Sequence, residues 1–250
     1  MLKRLFLVAS ILFSILLLGA LAWLGSPHDI EKPAVEKALD SDRQVSVEQG
    51  TFQVFSPVAT TASTGVIFYP GGKSAVGTYA PVLKQLAGCG LLVVNVPMPL
   101  HVAFLGIDKA DQVMASFPDI DRWYLAGHSM GGVAAVEYAA DKPHGLDGLI
   151  LWASYPASDI SHLGIPVLSV YGRQDQMTTV HEVEQFMPLL PQHTRYVAVE
   201  ANHWSFGHFD RSPVPGEQRI DRLRAQRAIV AATGGFAGSD QPCPRGSSRP

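Results

Sequence analysis

The chain has 250 residues, a formal net charge of −3 and a charged fraction of 16%, and this length suits one sizeable α/β domain. The charge balance shows neither the basic excess that nucleic-acid binding requires nor an acidic tail, so we expect no nucleic-acid partner. The two cysteines, Cys89 and Cys243, form neither a CxxC pair nor a Cys/His cluster, which argues against a structural metal site. The sequence alone does not decide whether Cys89 and Cys243 form a disulfide.

The N-terminus carries a long apolar run. Basic residues precede an uncharged stretch, residues 5–24, which as a helix would be about 30 Å long, close to the thickness of one hydrocarbon core. It predicts an uncleaved transmembrane signal anchor over residues 1–27. A cleaved signal peptide is the alternative, because Ala20-Leu21-Ala22 matches an A-x-A cleavage site. Both interpretations predict that the rest of the chain is periplasmic or extracellular, either membrane-anchored through this helix or secreted after cleavage.

Two polar segments flank the central part of the chain. Residues 28–44 are charged with little apolar patterning, which predicts a linker or a short exposed helix. Residues 234–250 are rich in Gly, Pro and Ser, which predicts a disordered tail. The folded domain is therefore expected over residues 45–233.

Between these limits, apolar runs rich in β-branched residues alternate with helical patterns. Residues 45–57 predict an antiparallel hairpin. Six later runs are nearly continuous in apolar residues, as is typical of strands buried on both faces; they are 65–70, 91–97, 123–127, 146–154, 166–172 and 194–200. Helical patterns fill the gaps. The alternation predicts an α/β fold with a mostly parallel central sheet, an antiparallel N-terminal hairpin and helices on both faces. The short connection after residue 154 leaves no room for a large cap domain, which predicts a shallow, open site.

The stretch LAGHSMGGVAA, residues 125–135, joins a predicted strand to a predicted helix. One interpretation is a helix N-terminus in which glycines allow close packing. The other is a G-x-S-x-G turn that exposes the Ser129 hydroxyl as a nucleophile. The pattern alone is common, but its position between a buried strand and a helix favours the nucleophile.

Two further polar residues follow predicted strands. Asp175 comes after residues 166–172 and His203 after residues 194–200. Taken singly, Asp175 suits a helix cap, and a single loop histidine carries little information. The order Ser, Asp, His, each at a strand end, is the chain order of an α/β-hydrolase triad. His208 is a weaker candidate for the base because it lies further from the strand end.

Tyr69-Pro70-Gly71-Gly72-Lys73 follows the first parallel strand. This sequence fits a plain Pro-Gly turn. It also fits an oxyanion hole in which the backbone N–H of Gly72 or Lys73, together with that of Met130, binds the substrate oxygen. The sequence does not decide which of Gly72 and Lys73 donates.

The motifs FYPGG, GHSMGG, YGRQD and ANHWSFG together resemble those of the serine α/β-hydrolases. The resemblance covers residues 50–232 and is strongest to the short, single-domain, dienelactone-hydrolase-like group, in particular bacterial members with an N-terminal membrane segment. It implies Ser129 as nucleophile, His203 as base and Asp175 as the acid that orients it. Dienelactone hydrolases carry a Cys nucleophile, which puts their substrate in doubt here. His101 stands where the family pattern has Asn, near the expected site.

These patterns together predict a serine hydrolase that cleaves an ester or thioester bond of a small molecule through an acyl-enzyme, with no cofactor and no metal. Candidate pocket residues are Tyr69, His101, His128 and Trp204. A haloperoxidase-like activity would use the same residues. The alternative from another class is a catalytically silent, membrane-tethered binding or scaffold protein of this fold.

Overall fold

A computed structural model describes residues 2–210, 220–239 and 243, without the side chains of residues 2–5, 7, 8 and 24. The N-terminal apolar run forms helix α1 (Leu2–Leu24). Within the described residues, however, no helix has both the length and the apolar character needed to cross a membrane. The predicted transmembrane anchor is therefore not found.

Eight strands form one sheet in the order β1-β2-β4-β3-β5-β6-β7-β8. Their bounds are β1 Val45–Gln49, β2 Gln53–Pro57, β3 Thr64–Tyr69, β4 Leu92–Asn95, β5 Arg122–His128, β6 Gly148–Trp152, β7 Val167–Gly172 and β8 Arg195–Val199. Strands β1 and β2 pair in antiparallel register and β2 joins β4 the same way, whereas the other pairs are parallel. The predicted α/β fold, a mostly parallel sheet with an antiparallel N-terminal hairpin, is confirmed.

Helices cover both faces of this sheet. They are α2 Lys32–Leu39, α3 Ala80–Ala87, α4 Lys109–Ser116, α5 Met130–Asp141, α6 Val180–Phe186 and α7 Arg222–Phe236. The apolar side chains of α2, α3 and α7 pack into one core, and those of α4 and α5 pack into a second core on the opposite face. In strand β3, Val66 and Phe68 face the first core and Ile67 and Tyr69 face the second. Because both faces of the strand are buried, its sequence is apolar throughout.

The segment over residues 28–44 is attached to the domain. It contains α2, and before α2 the residue Ile30 forms an isolated antiparallel bridge with Phe209. The next residue, Glu31, donates its backbone N–H to the carbonyl of His208 at 3.0 Å. The predicted linker is therefore partly a packed element, and its first residues lie against the loop that follows β8.

Part of the predicted disordered tail is ordered. Residues 234–236 complete α7, and Cys243 forms a disulfide with Cys89, which follows α3. Residues 240–242 and 244–250 lie outside the described residues.

The connection from β6 to β7 contains neither helix nor strand over residues 153–166. No cap domain is inserted there, as the short spacing predicted. The carboxyl ends of β5, β7 and β8 are consequently uncovered by any inserted domain, and the first residues after these strands meet at one edge of the sheet.

Candidate active site

Ser129 occupies the turn between β5 and α5. Its backbone has φ 52° and ψ −124°, a conformation that is strained for a residue with a side chain. Hydrogen bonds hold the turn on both sides. The Ser129 N–H donates to the Trp152 carbonyl at 3.0 Å, and the Ser129 carbonyl accepts from the hydroxyl of Ser154 at 2.8 Å.

Two glycines make this turn possible by close approach. A Cβ atom on Gly127 would lie 2.3 Å from the carbonyl group of Gly131, and a Cβ on Gly131 would lie 2.1 Å from the Tyr69 carbonyl oxygen. No side chain fits at either position without moving backbone. The glycines of the G-x-S-x-G pattern therefore serve the sharp turn and the packing of α5 on β3 together.

Asp175 and His203 are buried and hydrogen-bonded to each other. His203 Nδ1 lies 2.9 Å from Asp175 Oδ2, and the two residues are 2% and 6% exposed, respectively. The other carboxylate oxygen, Oδ1, accepts backbone N–H groups from Met177 at 2.8 Å and Thr178 at 2.7 Å. Three donors thus fix the carboxylate, and the carboxylate in turn fixes the imidazole ring.

A pocket of about 250 Å³ opens over these residues, and both Ser129 and His203 line it. Among the described residues no hydrogen bond joins the Ser129 hydroxyl to His203. Such contacts are often long in a ligand-free enzyme and shorten when substrate binds. The placement brings a hydroxyl and a carboxylate-oriented imidazole to one small cavity.

The loop after β3 brings backbone N–H groups to the same pocket. The Lys73 N–H donates to the His101 carbonyl at 2.9 Å, so it is already occupied. The N–H groups of Gly72 and Met130 form no hydrogen bond with any described residue, and a Cβ on Gly72 would lie 2.9 Å from Met130 Cε. The sequence left Gly72 and Lys73 as equal candidates for the oxyanion donor, and the hydrogen bonding favours Gly72.

A buried polar network lies behind the pocket. The Tyr79 hydroxyl accepts the Gly71 N–H at 3.1 Å and lies 3.1 Å from the Ser74 hydroxyl. It also lies 2.8 Å from His128 Nδ1. The loop after β3 is therefore joined through one phenol oxygen to the residue that precedes Ser129.

His128 is fully buried between aromatic groups. Its ring stacks on Phe206 at a centroid distance of 5.4 Å and lies 4.6 Å from the His203 ring. Burial holds the pKa of His128 well below 6.5, the nearby His203 lowers it further, and the His203 backbone opposes these effects. Its Nε2 atom is buried and has no hydrogen-bond partner among the described residues. His128 is thus kept neutral beside the nucleophile.

The structure brings three of the four candidate pocket residues to the site and places the fourth elsewhere. His101, His128 and Trp204 line the pocket. Tyr69 does not. Strand alternation points Tyr69 into the second core, where its hydroxyl donates to the Ile107 carbonyl and accepts the Ala110 N–H at 2.9 Å. The prediction for Tyr69 is corrected on this ground.

His208 lies away from the pocket. Its Nδ1 is 3.1 Å from a carboxylate oxygen of Glu31, and its Nε2 is 3.0 Å from the side-chain oxygen of Gln226. Both nitrogens therefore face polar side chains of the N-terminal segment and of α7, which hold the loop after β8. This arrangement removes His208 as a competitor for the base.

Sequence reasoning missed one wall of the pocket. Trp23, His28 and Phe209 line it together with Met177. The His28 ring packs edge-on against Trp204 at 5.4 Å and against Phe209 at 6.2 Å. His28 is separated from Trp204 and Phe209 by more than 170 positions in the chain. No local sequence pattern signals such a contact.

A protein-family model described as "Alpha/beta hydrolase family" matches residues 65–227 of the chain. The match begins within β3 and ends within α7, so it includes Ser129, Asp175 and His203. A comparison with curated protein sequences finds no match.

Proposed function

Because the chain belongs to the alpha/beta hydrolase family, we propose that it is a serine hydrolase that cleaves a carboxylic ester or thioester through an acyl-enzyme intermediate. The observation that carries the proposal is the buried hydrogen bond between His203 Nδ1 and Asp175 Oδ2 at 2.9 Å, in a pocket that Ser129 also lines. A binding protein that uses this fold without chemistry has no need of a buried, three-donor carboxylate behind a histidine.

The protonation states follow from the hydrogen bonds. An ionised carboxylate only accepts, so Nδ1 of His203 carries the proton that it donates to Asp175. The lone pair of the neutral imidazole is then on Nε2, which is the atom that takes the Ser129 proton when substrate is bound. Asp175 selects this tautomer and stabilises the imidazolium that forms.

In the first half-reaction the Ser129 oxygen attacks the carbonyl carbon, and a tetrahedral intermediate forms. The unpaired N–H groups of Gly72 and Met130 donate to its oxyanion; each donor of this kind contributes about 3 kcal/mol to lowering the barrier. The bond between the acyl carbon and the leaving oxygen or sulfur then breaks as the imidazolium of His203 protonates that atom, so the alcohol or thiol departs and the acyl group stays on Ser129. A water molecule, deprotonated by His203, attacks the acyl-enzyme and releases the acid.

The size of the pocket restricts the acyl group. A volume of about 250 Å³ lies just below the usual range for sites that bind drug-sized ligands. The β6–β7 connection places no helix or strand over the site. Together these features favour esters with a short acyl chain and a leaving group that projects into solvent.

The disulfide supports a location outside the cytoplasm. Cys89 and Cys243 are bonded, and such bonds persist in oxidising compartments. The proposal is therefore that the enzyme works in an extracytoplasmic compartment.

The experiment that tests the function is labelling with a fluorophosphonate probe. Full-length protein is treated with the probe and its intact mass is measured. One adduct is expected on wild type and on Ser116→Ala, which removes an exposed hydroxyl of α4, whereas Ser129→Ala is expected to remain unlabelled. A folded wild-type protein that takes up no probe would overturn the proposal.

A further inference from the structure

The titratable side chains that line the pocket are all bases. Of the described residues that line it, Lys73 and the histidines 28, 101, 128 and 203 are titratable, and none is Asp or Glu. Asp175 stands behind His203 and is not a lining residue.

Lys73 is held in place by its backbone. It adopts φ 55°, a left-handed conformation that is uncommon for a non-glycine residue. Its N–H donates to the His101 carbonyl at 2.9 Å and its carbonyl accepts the His28 N–H at 2.7 Å. The first atoms of its side chain therefore start from a fixed point at the pocket wall.

Among the described residues, the ammonium group of Lys73 has no anionic partner. It lies 3.8 Å from the centroid of the Trp23 ring, and it forms no hydrogen bond or ion pair with any described residue. The aromatic face attracts the charge but offers no oxygen to the three N–H donors. Lys73 and His28 both line the pocket. Burial lowers the pKa of His28, the Lys73 charge lowers it further, and Asp29 opposes both effects.

We propose that Lys73 binds a carboxylate group of the substrate, and that the preferred substrates are half-esters of short dicarboxylic acids. This inference rests on the proposed serine hydrolase function and names its substrate class. A carboxylate beside the ammonium group would supply the missing acceptors. The pocket volume of about 250 Å³ limits the chain between the ester and the carboxylate to a few carbons.

The test compares anionic and neutral esters of matched shape. Monomethyl succinate and monomethyl glutarate are each compared with a neutral isostere, methyl 4-methylpentanoate and methyl 5-methylhexanoate, and acid release is followed by pH-stat titration. Methyl esters are used because aryl half-esters hydrolyse spontaneously through the neighbouring carboxylate. For wild type we expect kcat/KM to be about tenfold higher for one of the half-esters than for its isostere, as one charge-assisted contact supplies.

Three variants assign the preference to Lys73. Lys73→Met should lower the anionic-to-neutral ratio by about tenfold, Lys73→Arg should retain most of it, and Lys37→Met should leave it unchanged. Lys37 is an exposed lysine of α2, so this control removes the same charge away from the pocket. Raising NaCl from about 0.05 M to about 0.5 M should reduce the wild-type ratio, which tests the charge without any mutation.

Two outcomes overturn the inference. One is a wild-type preference for the neutral isosteres, and the other is a ratio that Lys73→Met and salt leave unchanged. Labelling of Ser129 by the fluorophosphonate separates this failure from failure of the serine hydrolase itself. If Ser129 is labelled without a preference for half-esters, only the substrate class is wrong, whereas absence of labelling removes both proposals.

Discussion

The Tyr79 hydroxyl and His128 Nδ1 lie 2.8 Å apart, and this contact joins the two backbone segments on which the proposed oxyanion hole depends. The same hydroxyl accepts the N–H of Gly71, which precedes the proposed donor Gly72. His128 immediately precedes Ser129 and Met130. Tyr79 is therefore a positioning residue that sets the distance between the loop after β3 and the nucleophile turn.

Tyr79→Phe should lower kcat by about tenfold with a smaller effect on KM, because a displaced oxyanion donor weakens transition-state binding more than substrate binding. It should also destabilise the fold by about 1–3 kcal/mol, since the buried Gly71 N–H loses its acceptor. Steady-state kinetics and denaturant unfolding check the two effects. Tyr138→Phe is the matched control. It removes a hydroxyl that donates to Asp111, away from the pocket, and should leave kcat unchanged.

Asp175→Asn should reduce kcat by about 10³–10⁴-fold. The amide keeps the volume of the carboxylate, but it can present an N–H to His203 and so favour the wrong tautomer. The backbone donors of Met177 and Thr178 remain, so the fold should survive. The control is Asp111→Asn, which replaces an exposed carboxylate of α4. The kcat values of the two variants are measured and compared. Equal activity in the two variants would show that Asp175 does not orient the base.

The stability of the protein should fall as the pH drops below about 6.5. The folded state lowers the pKa of His128, chiefly by burial, so the unfolded chain takes up a proton in a range where the folded chain does not. His208 acts in the same direction, because burial and then the Arg222 charge lower its pKa, while Gln226 and Glu31 oppose this. The contribution of these two histidines to the free energy of unfolding is thus fully present above about pH 6.5 and is lost progressively below it.

Each such histidine contributes a slope of at most about 1.4 kcal/mol per pH unit. Urea unfolding between pH 7.5 and pH 5 should therefore show a smaller pH slope for His128→Asn than for wild type. An unchanged slope would mean that His128 is protonated in the folded state. The variant is compared through its slope, so a uniform loss of stability does not obscure the result.

Two neighbouring glycines of α7 should respond in opposite ways to substitution. A Cβ on Gly234 would lie 2.6 Å from Cys243 Sγ, whereas a Cβ on Gly235 meets no atom within 4 Å. Gly234→Ala should therefore destabilise the protein by about 1–3 kcal/mol through overpacking. Gly235→Ala should be neutral or stabilise by up to about 1 kcal/mol through helix propensity. Thermal unfolding of the two variants side by side tests the packing of this helix against the disulfide.

The parallel sheet and the strand ends at the site could be predicted from the sequence because their signals are local. A strand buried on both faces has to be apolar along its whole length, as residues 65–70 are, and the polar residues that follow such strands must meet at one edge. Ser129 and Asp175 follow strands of this kind, whereas His203 follows β8, an edge strand whose residues are mostly half-buried. Their neighbourhood was therefore predictable before any side chain was placed, although the sequence could not specify the hydrogen bond at Asp175.

Features set by distant contacts escaped prediction. Nothing in the residues around His28 signals that this ring packs on Trp204 and Phe209, because the contact depends on how the finished sheet presents the loop after β8. The prediction that Tyr69 lines the pocket was wrong for a different reason. Residues at the end of a strand alternate between faces, and a shift of one position in the assumed strand end exchanges pocket for core.

The disulfide between Cys89 and Cys243, 154 positions apart, closes the chain into a covalent ring. Ser129, Asp175 and His203 all lie inside that ring, as do β4 to β8 and the helices between them. A single proteolytic cut anywhere within it leaves two fragments that stay joined through sulfur. A nicked molecule therefore keeps its proposed catalytic groups on one covalent entity, and only reduction together with cleavage can separate them.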